Sequence, residues 1–264
     1  MSHITLVPAG GLCNRINAIT SAIHLLQTHQ IPIDIYWEKN KECNANFDDL
    51  FEPIKDFTIH PLKKMYLKPG RKKNLYFPNL LKRFYFDGYY WGHQISEMDI
   101  MQLLKNERHI YICSHNRFWK SEFNQLLSTY FVPIRQLNDR IREIVDDRQN
   151  NMIGVHIRRT DNIAAIKNNP IRFFYTQMDL ELSKNENVFF YLATDSMDVK
   201  NKMKKRYQDK IITQELDLSR NSVKGMQDAV VDLYCLASAN KIIGCNHSTY
   251  STVAASIFGR ELIM

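Results

Sequence analysis

The chain has 264 residues, of which 44% are hydrophobic and 24% charged, and its formal net charge is +7. These values are typical of a soluble globular protein and exclude a disordered or fibrous chain. No apolar run approaches the roughly 18–20 residues that a membrane-spanning helix needs. The length allows two domains of ordinary size.

Cysteine content and the first residues of the chain predict a cytoplasmic protein. The five cysteines are an odd number without a C-x-x-C pair or metal-like spacing, which favours reduced thiols over disulfides. The first residues lack the basic flank and apolar run of a signal peptide. We therefore expect a cytoplasmic location. The net positive charge is also compatible with peripheral contact at the inner membrane face.

The first part of the chain has the pattern of an α/β unit. Apolar residues recur at helical spacing after a glycine-containing loop, and apolar segments flank that helix on both sides. Residues 40–90 show little periodicity, which predicts loops or short elements. The predicted elements are a strand over Ile4–Val7, a loop over Ala9–Cys13, a helix over Asn14–Thr28, a strand over Pro32–Trp37, a helix over Ser96–Asn106 and a strand over Arg108–Ser114.

An amphipathic helix over Pro133–Gln149 and the polar residues around its end mark the predicted domain boundary. We expect an α/β domain over residues 1–148 and a Rossmann-like domain over residues 149–264. Strands and helices alternate in the second domain, which predicts a parallel sheet covered by helices on both faces. The predicted elements there are Met152–Ile157, Phe173–Ser183, Val188–Thr194, Met197–Tyr207, Lys210–Thr213, Lys224–Ala239, Lys241–Cys245 and Ser248–Phe258.

The segment Gly154–Asp161 carries the strongest functional signal. An apolar strand that contains His156 runs directly into Arg158 and Arg159, and Asp161 follows. Open α/β sheets bind ligands just outside the carboxyl ends of their strands, and guanidinium groups fit phosphate oxygens in two-point contacts. We interpret the two arginines as a diphosphate clamp that takes the place of a metal ion. The alternatives are a surface ion pair between Arg159 and Asp161, and a core role for His156.

Asp232 lies within an otherwise apolar helical run. A buried carboxylate is unfavourable unless it is paired and hydrogen-bonded. One edge of guanine carries neighbouring N–H donors that fit a carboxylate, so Asp232 is a candidate contact for a guanine base. The alternative is a pairing with a neighbouring lysine or arginine on the helix surface.

Further candidates lie where a helix begins. Ser248 and Thr249 open the last predicted helix, where unpaired N–H groups and the positive end of the helix dipole suit a phosphate. Asp195 follows a strand at the start of another helix. Asn14, with Arg15, follows a Gly-Gly pair at the entry to the first helix. N-capping is the alternative interpretation for Ser248, Asp195 and Asn14.

A basic segment between Lys63 and Arg83 contains eight lysines and arginines and no acidic residue. Aromatic residues follow it, among them Tyr89, Tyr90 and Trp91. A solvated loop beside ordinary core residues is one interpretation. The others are a sugar-stacking acceptor site, a patch for an anionic lipid-linked acceptor, and a platform for single-stranded nucleic acid. RNA-binding signatures are absent from the sequence, which disfavours nucleic acid.

Four segments in order resemble the GDP-fucose-dependent fucosyltransferase superfamily, especially its α1,2-, α1,6- and nodulation-type branches. The residues 155–161, VHIRRTD, are similar to its first signature. Phe189–Ser196 and Asp232–Ala255 are similar to the second and third, and Gly10–Ile19 is similar to its N-terminal glycine loop. Cys13 replaces the usual second glycine of that loop.

The resemblance implies an inverting glycosyltransferase of the GT-B type, with two Rossmann-like domains facing a cleft. It would transfer fucose from GDP-fucose to a hydroxyl of a glycan or lipid-linked glycan, without a metal ion or other cofactor. No Asp-x-Asp or His-Glu-x-x-His pattern is present in the sequence. Another nucleotide-sugar donor is the first alternative, and a basic nucleic-acid-binding protein is the second.

The residue patterns and the resemblance together give the candidate residues. The α1,6 branch has a lysine where this chain has Asn162, which disfavours an α1,6-type acceptor mechanism. The acceptor's proton could pass to Asp161, Glu38, Asp87, His93 or Glu97. The catalytic candidates are Arg158, Arg159 and Asp161; the donor-binding candidates are Asn14, Arg15, His156, Asp195, Asp232, Ser248 and Thr249; and the acceptor-binding candidates are Tyr89, Tyr90 and Trp91.

Overall fold

A computed structural model describes most of the chain. The described residues are 2–55, 57–62, 84–91, 97–106, 108–119, 126–145, 151–159, 167–215 and 219–264. Within these ranges no helix has the length and apolar character needed to cross a membrane. The five cysteines are buried and free in this structure.

The chain divides into two compact units. Unit 1 contains Met1–Gln125, Tyr130–Val132 and Arg220–Met226, and unit 2 contains Leu126–Thr129, Pro133–Ser219 and Gln227–Met264. The predicted boundary between residues 148 and 149 lies outside the described residues and stays a prediction.

Unit 1 contains a five-stranded parallel sheet. Its strands are β1 (His3–Pro8), β2 (Ile33–Trp37), β3 (Ile59–Pro61), β4 (Gly88–Trp91) and β5 (His109–Ser114). They lie in the order β3-β2-β1-β5-β4, with every adjacent pair parallel. The central strand β1 is buried from its second residue onward, as expected for a strand covered on both faces.

Two helices belong to the same unit, α1 (Leu12–His29) and α2 (Glu97–Asn106). Most of α1 is buried, because its small and apolar side chains pack against the sheet. The loop before it depends on Gly10, whose φ is +80°, and a Cβ atom there would lie 2.7 Å from the amide nitrogen of Asn14. Any other residue at this position would strain the backbone and displace Asn14.

Unit 2 contains a second parallel sheet. Its strands are β6 (Met152–Ile157), β7 (Phe189–Thr194), β8 (Ile211–Ile212), β9 (Lys241–Ile243) and β10 (Glu261–Ile263), in the order β10-β9-β6-β7-β8. All the adjacent pairs are parallel. Its helices are α3 (Arg135–Val145), α4 (Ile171–Lys184), α5 (Met197–Tyr207), α6 (Val223–Ala237) and α7 (Thr249–Phe258).

The central strand β6 is buried at all six positions. Gly154 lets helix α6 approach it closely, since a Cβ atom at Gly154 would lie 2.7 Å from a methyl carbon of Leu236 and 3.0 Å from its carbonyl oxygen. Numbered within unit 2, the strand order is 3-2-1-4-5, the Rossmann arrangement. The order reverses between β6 and β9, so their carboxyl ends form the topological switch point.

The predicted α/β class is confirmed, since both sheets are parallel and strands alternate with helices along unit 2. Three short strands, β3, β4 and β10, are absent from the sequence-based prediction. The arrangement of the two units around a cleft stays a proposal.

Candidate functional site

The two arginines lie where the fold predicts a ligand site, directly after β6 at the switch point. The main-chain N–H of Arg158 donates to the Sγ of Cys245, 3.4 Å away, and that thiol donates to the carbonyl oxygen of His156, at 3.3 Å. Cys245 follows β9, so the thiol joins the ends of the two central strands. Burial raises the pKa of this thiol, which keeps it protonated and able to donate.

The guanidinium of Arg159 is held in a fixed direction by main-chain carbonyls. It donates to the carbonyl oxygens of Arg158 and Asn169, at 2.9 and 2.8 Å, and lies 5.9 Å from the ring centre of Phe174. Its main-chain N–H donates to the Oδ1 of Asp195 at 2.7 Å. Neutral carbonyls orient the guanidinium without cancelling its charge, which leaves that charge to act on an anion.

Asn169 ties this arginine to the loop after β9. Its side chain is almost fully buried, and its Oδ1 accepts the main-chain N–H of Asn246 at 2.9 Å. The main-chain carbonyl oxygen of Asn169 accepts the hydrogen bond from the guanidinium of Arg159. No sequence pattern singles out Asn169, because its role arises from contacts between residues far apart in the chain.

The start of helix α7 forms the other side of the switch point. Ser248 occupies the N-cap position, yet its side chain makes no capping hydrogen bond. The residue is only 4% exposed, and its Oγ has no hydrogen-bond partner among the described residues. Thr249 is the first residue of the helix. The alternative interpretation, a side-chain cap by Ser248, is therefore not observed, and its buried hydroxyl lies at the start of the helix, where main-chain N–H groups and the positive end of the helix dipole favour an anion.

Five polar residues form a chain of contacts beneath this edge, which we call the His156 network. Four of them are buried (Ser251, His156, Asp232 and Tyr191) and Tyr250 is half-buried. His156 Nδ1 lies 2.8 Å from the hydroxyl of Ser251, and its ring is 4.8 Å from the ring centre of Tyr250, tilted by 34°. Tyr250 donates to Asp232 Oδ2 at 3.0 Å, and Tyr191 donates to Asp232 Oδ1 at 2.8 Å.

Burial determines the protonation of this network. It lowers the pKa of His156 to about 4, an effect that Arg158 strengthens and Asp195 opposes. It raises the pKa of Asp232 to about 6, against the hydrogen bonds from Tyr191 and Tyr250. At neutral pH the imidazole is neutral and the carboxylate is charged. Asp232, which is 8% exposed, is thus paired with two tyrosine hydroxyls rather than with a lysine or arginine.

The alternative interpretation of Asp195 and Asn14 as N-caps differs from the structure. Ser196, not Asp195, caps helix α5, since its hydroxyl accepts the N–H of Val199 at 3.4 Å. Asp195 instead accepts the N–H of Arg159. Gly11, not Asn14, is the N-cap of helix α1, and Asn14 lies in the first turn, beside Gly10.

Arg15, predicted to bind the donor, is fully buried. Its guanidinium donates to the carbonyl oxygens of Gly10 and Glu38 and, at 3.0 Å, to Asn40 Oδ1. It also lies 4.7 Å from the ring centre of Trp37. These contacts fix the glycine loop to the end of β2. Within unit 1, Arg15 therefore holds the glycine loop in position, and its assignment as a donor-binding residue stays a prediction.

The proposed acceptor residues Tyr89, Tyr90 and Trp91 lie together on β4, at the edge of the unit 1 sheet. Tyr89 is 40% exposed and Tyr90 is half-buried, so both present part of a ring to solvent. The basic segment 63–83 lies outside the described residues.

Two proposed proton acceptors differ in their surroundings. Asp87 accepts the main-chain N–H groups of His109 and Arg108, at 2.8 and 2.7 Å, and these bonds lower its pKa and make it a weak base. Glu38 is buried, and desolvation raises its pKa against a hydrogen bond from Asn40. Asp161 and His93, and the side chain of Glu97, lie outside the described part.

No group of three His, Cys, Asp or Glu side chains is placed to hold a metal ion within the described residues. Metal independence stays a proposal.

The sequence matches no known family model. No curated protein matches it either. Several solved structures share its fold. A NodZ α-1,6-fucosyltransferase soaked with GDP-fucose has a TM-score of 0.64 and 16% identity, covering 97% of this chain and 93% of that one. The fucosyltransferase NodZ from Bradyrhizobium has a TM-score of 0.62 and 15% identity, covering 96% of this chain and 92% of that chain.

A mutant of FUT1 from Arabidopsis thaliana in complex with GDP has a TM-score of 0.61 and 15% identity, covering 99% of this chain and 69% of that chain. Apo POFUT1 has a TM-score of 0.60 and 11% identity, covering 99% of this chain and 97% of that chain. These structural matches are fucosyltransferases, which are glycosyltransferases. The chain has their α/β fold over nearly its whole length, and the resemblance predicted from its motifs is confirmed at the level of the fold.

Proposed function

We propose that this chain is a glycosyltransferase that transfers fucose from GDP-fucose to a hydroxyl of a glycan or lipid-linked glycan. One observation carries the proposal. At the switch point of a sheet with the Rossmann order, the charged guanidinium of Arg159 and the buried hydroxyl of Ser248 follow adjacent strands, and that hydroxyl has no partner in the part of the chain that the structure describes. A cation and hydroxyl at a helix N-terminus are groups that bind a diphosphate.

The proposed chemistry is a single displacement with inversion at the anomeric carbon. Arg158 and Arg159 stabilise the charge that develops on the leaving GDP, so no metal ion is required. Asp161 or Glu38 accepts the proton of the acceptor hydroxyl. For Glu38, the raised pKa of a buried carboxyl suits a general base.

The remaining residues bind the two substrates. Ser248 and Thr249 hold phosphate oxygens at the start of α7. His156 and Asp232 form the part of the donor site that binds the guanine base. Asn14 contributes from the glycine loop, and Asp195 positions the main chain of Arg159. On β4, the partly exposed rings of Tyr89 and Tyr90, together with Trp91, bind the acceptor. We place the protein in the cytoplasm, with peripheral contact at the inner membrane face for a lipid-linked acceptor.

The second candidate is the same chemistry with another nucleotide-sugar, which the phosphate site alone would accept equally well. A panel of GDP-, UDP- and CMP-sugars separates the two, with release of free nucleotide as the readout. We expect slow hydrolysis of GDP-fucose that persists in EDTA. Release of nucleotide from a UDP-sugar only would favour the second candidate, and loss of activity in EDTA that Mn²⁺ restores would contradict metal independence.

A further inference from the structure

The sheet of unit 1 has a switch point of its own, between β1 and β5. The chain passes from β1 through β2 to β3 on one side, and β4 and β5 lie on the other side of β1. Ligands of parallel α/β sheets bind outside the carboxyl ends of the strands at such a point. Two loops therefore mark a candidate ligand site in this unit: the glycine loop after β1 and the loop over 115–119 after β5.

Arg117, in the loop after β5, is half-buried, and its buried Nε has no hydrogen-bond partner among the described residues. Burial lowers the pKa of Arg117, and no carboxylate in the described part of the chain opposes this effect. Glu38, at the end of β2, is not its partner, since the charges that act on the pKa of Glu38 are those of Arg15 and Glu42. Arginine stays charged at neutral pH, so the binding of an anion would offset the cost of burying this cation.

The loop holds Arg117 in a fixed place without using its guanidinium. On one side, the hydroxyl of Ser114 donates to the main-chain carbonyl oxygen of Asn116 at 2.7 Å and accepts the N–H of the same residue at 3.1 Å. On the other side, the main-chain N–H groups of the two residues after Arg117 both donate to the Oγ of Ser21 on helix α1, at 3.1 Å. Main-chain groups and serine hydroxyls therefore fix the loop, which leaves the charge of Arg117 for another role.

The start of helix α1 adds a second positive feature beside this loop. The main-chain N–H of Ala9 donates to the carbonyl oxygen of Ser114 at 2.7 Å, which joins the glycine loop to the end of β5. The helix begins after Gly11, with no side-chain cap and no acidic residue in its first turn. The N–H groups of a first helical turn and the positive end of its dipole favour an anion, as Arg117 does.

We propose that this edge of unit 1, with Arg117 as its cation, binds an anionic group of the acceptor substrate, a phosphate or a carboxylate. The inference rests on the proposed function, because it names the chemical class of the acceptor. Strand β4, which carries the proposed acceptor residues, lies next to β5, and its last residue, Trp91, is in register with Cys113. The charged group of the acceptor and its sugar thus occupy neighbouring strand ends.

The test uses glucose 1-phosphate and glucuronate as anionic probes and glucose as the neutral probe. Saturating GDP fills the donor site first, so that a phosphate group does not bind there. Ligand-observed NMR gives the Kd of each probe for the wild type, Arg117→Gln and Arg108→Gln. Arg108 is the matched control, because it is an exposed arginine directly before the first residue of the same strand, at the opposite edge of the sheet.

We expect the wild type to bind an anionic probe at millimolar concentration and not to bind glucose at that concentration. Arg117→Gln should weaken the binding of the anion about 10–100-fold, whereas Arg108→Gln should stay within about twofold of the wild type. The ¹⁵Nε resonance of Arg117, assigned from its loss in Arg117→Gln, should shift on addition of the probe. Tighter binding of glucose 1-phosphate would identify a phosphate as the charged group, and tighter binding of glucuronate a carboxylate.

Equal affinity of the anionic probes for the wild type and Arg117→Gln would overturn the inference, and so would a wild type that binds neither probe. A fall in the GDP affinity of Arg117→Gln would also overturn it, because the arginine would then belong to the donor site. If the wild type binds no GDP, the proposed function fails, and the same titrations without GDP still decide whether Arg117 binds an anion.

Discussion

Each of the two parallel sheets has an arginine shortly after its central strand, Arg15 after β1 and Arg159 after β6. Arg15 is completely buried and its donors are used on Gly10, Glu38 and Asn40. Arg159 is half-buried and is held by two main-chain carbonyls. The arginine of unit 1 lies within helix α1 and fixes a loop, whereas the arginine of unit 2 lies directly at the strand end and is only half-buried. Burial and the identity of the acceptors distinguish the two roles.

The largest expected effect is on activity in unit 2. Arg159→Lys and Arg158→Lys each keep a positive charge but lose the planar, two-point donor geometry, so we expect kcat/KM to fall about 10²–10³-fold with little change in Tm. The control is Arg206→Lys, which alters an exposed guanidinium paired with Asp179 on the helical surface. If the kcat/KM of both variants stayed within a few-fold of the wild-type value, these arginines would be structural.

The corresponding change in unit 1 should affect stability instead. Arg15→Lys cannot satisfy three acceptors at separate positions, and buried acceptors without donors are costly. We expect the free energy of unfolding to fall by about 3 kcal/mol in urea titrations. A variant with wild-type stability and a lowered GDP affinity would reverse the comparison and make Arg15 a donor contact.

A third prediction concerns the pH dependence of stability in unit 2. Asp232 holds its proton more tightly in the folded chain, with a pKa of about 6, so its contribution to stability falls as pH rises from about 4 to 6. His156 holds its proton less tightly when folded, with a pKa of about 4, so its contribution rises between about pH 4 and 6.5. The two trends oppose each other in the wild type.

Asp232→Asn removes one of these trends. The free energy of unfolding of the variant, relative to wild type, should increase by about 1.4 kcal/mol per pH unit between pH 4.5 and 5.5. His156→Gln, the matched control, should show the opposite slope. If the free energies of unfolding of the wild type and of Asp232→Asn changed in parallel with pH, the raised pKa of Asp232 would be contradicted.

The smallest expected effect is on the acceptor. Tyr89→Ala removes an exposed ring from β4 and should raise the acceptor KM about threefold to tenfold, leaving the Kd for GDP unchanged. Tyr85→Ala, at another exposed tyrosine of this part of unit 1, is the control. A loss of GDP affinity in Tyr89→Ala would show that the acceptor and donor roles are not divided in this way.

Regular patterns made much of unit 2 predictable. Met152–Ile157 and Met197–Tyr207 have the same limits in the prediction and in the structure, because their apolar periodicity and flanking polar residues mark both ends. Strands β3, β4 and β10 are too short to show such periodicity. Their extended conformation comes from pairing with distant strands, which a local pattern does not contain.

The candidate site was predictable in position but not in its internal contacts. The strand-end location identified Arg158, Arg159 and Ser248. The hydrogen-bond partners of Arg15 and Asp232 come from tertiary packing. The local sequence around these two residues therefore does not predict them. Asn169 and Tyr250 were missed for the same reason.

The most direct test of the account is thermal unfolding of the wild-type chain with GDP, GDP-fucose, UDP or CMP. GDP or GDP-fucose at 100 times its Kd should add about 2.7 kcal/mol of apparent stability, a rise in Tm of about 5–10 °C, while UDP and CMP should leave Tm unchanged. An equal rise with UDP would contradict a guanine-specific donor site and leave only a general phosphate site at the ends of β6 and β9.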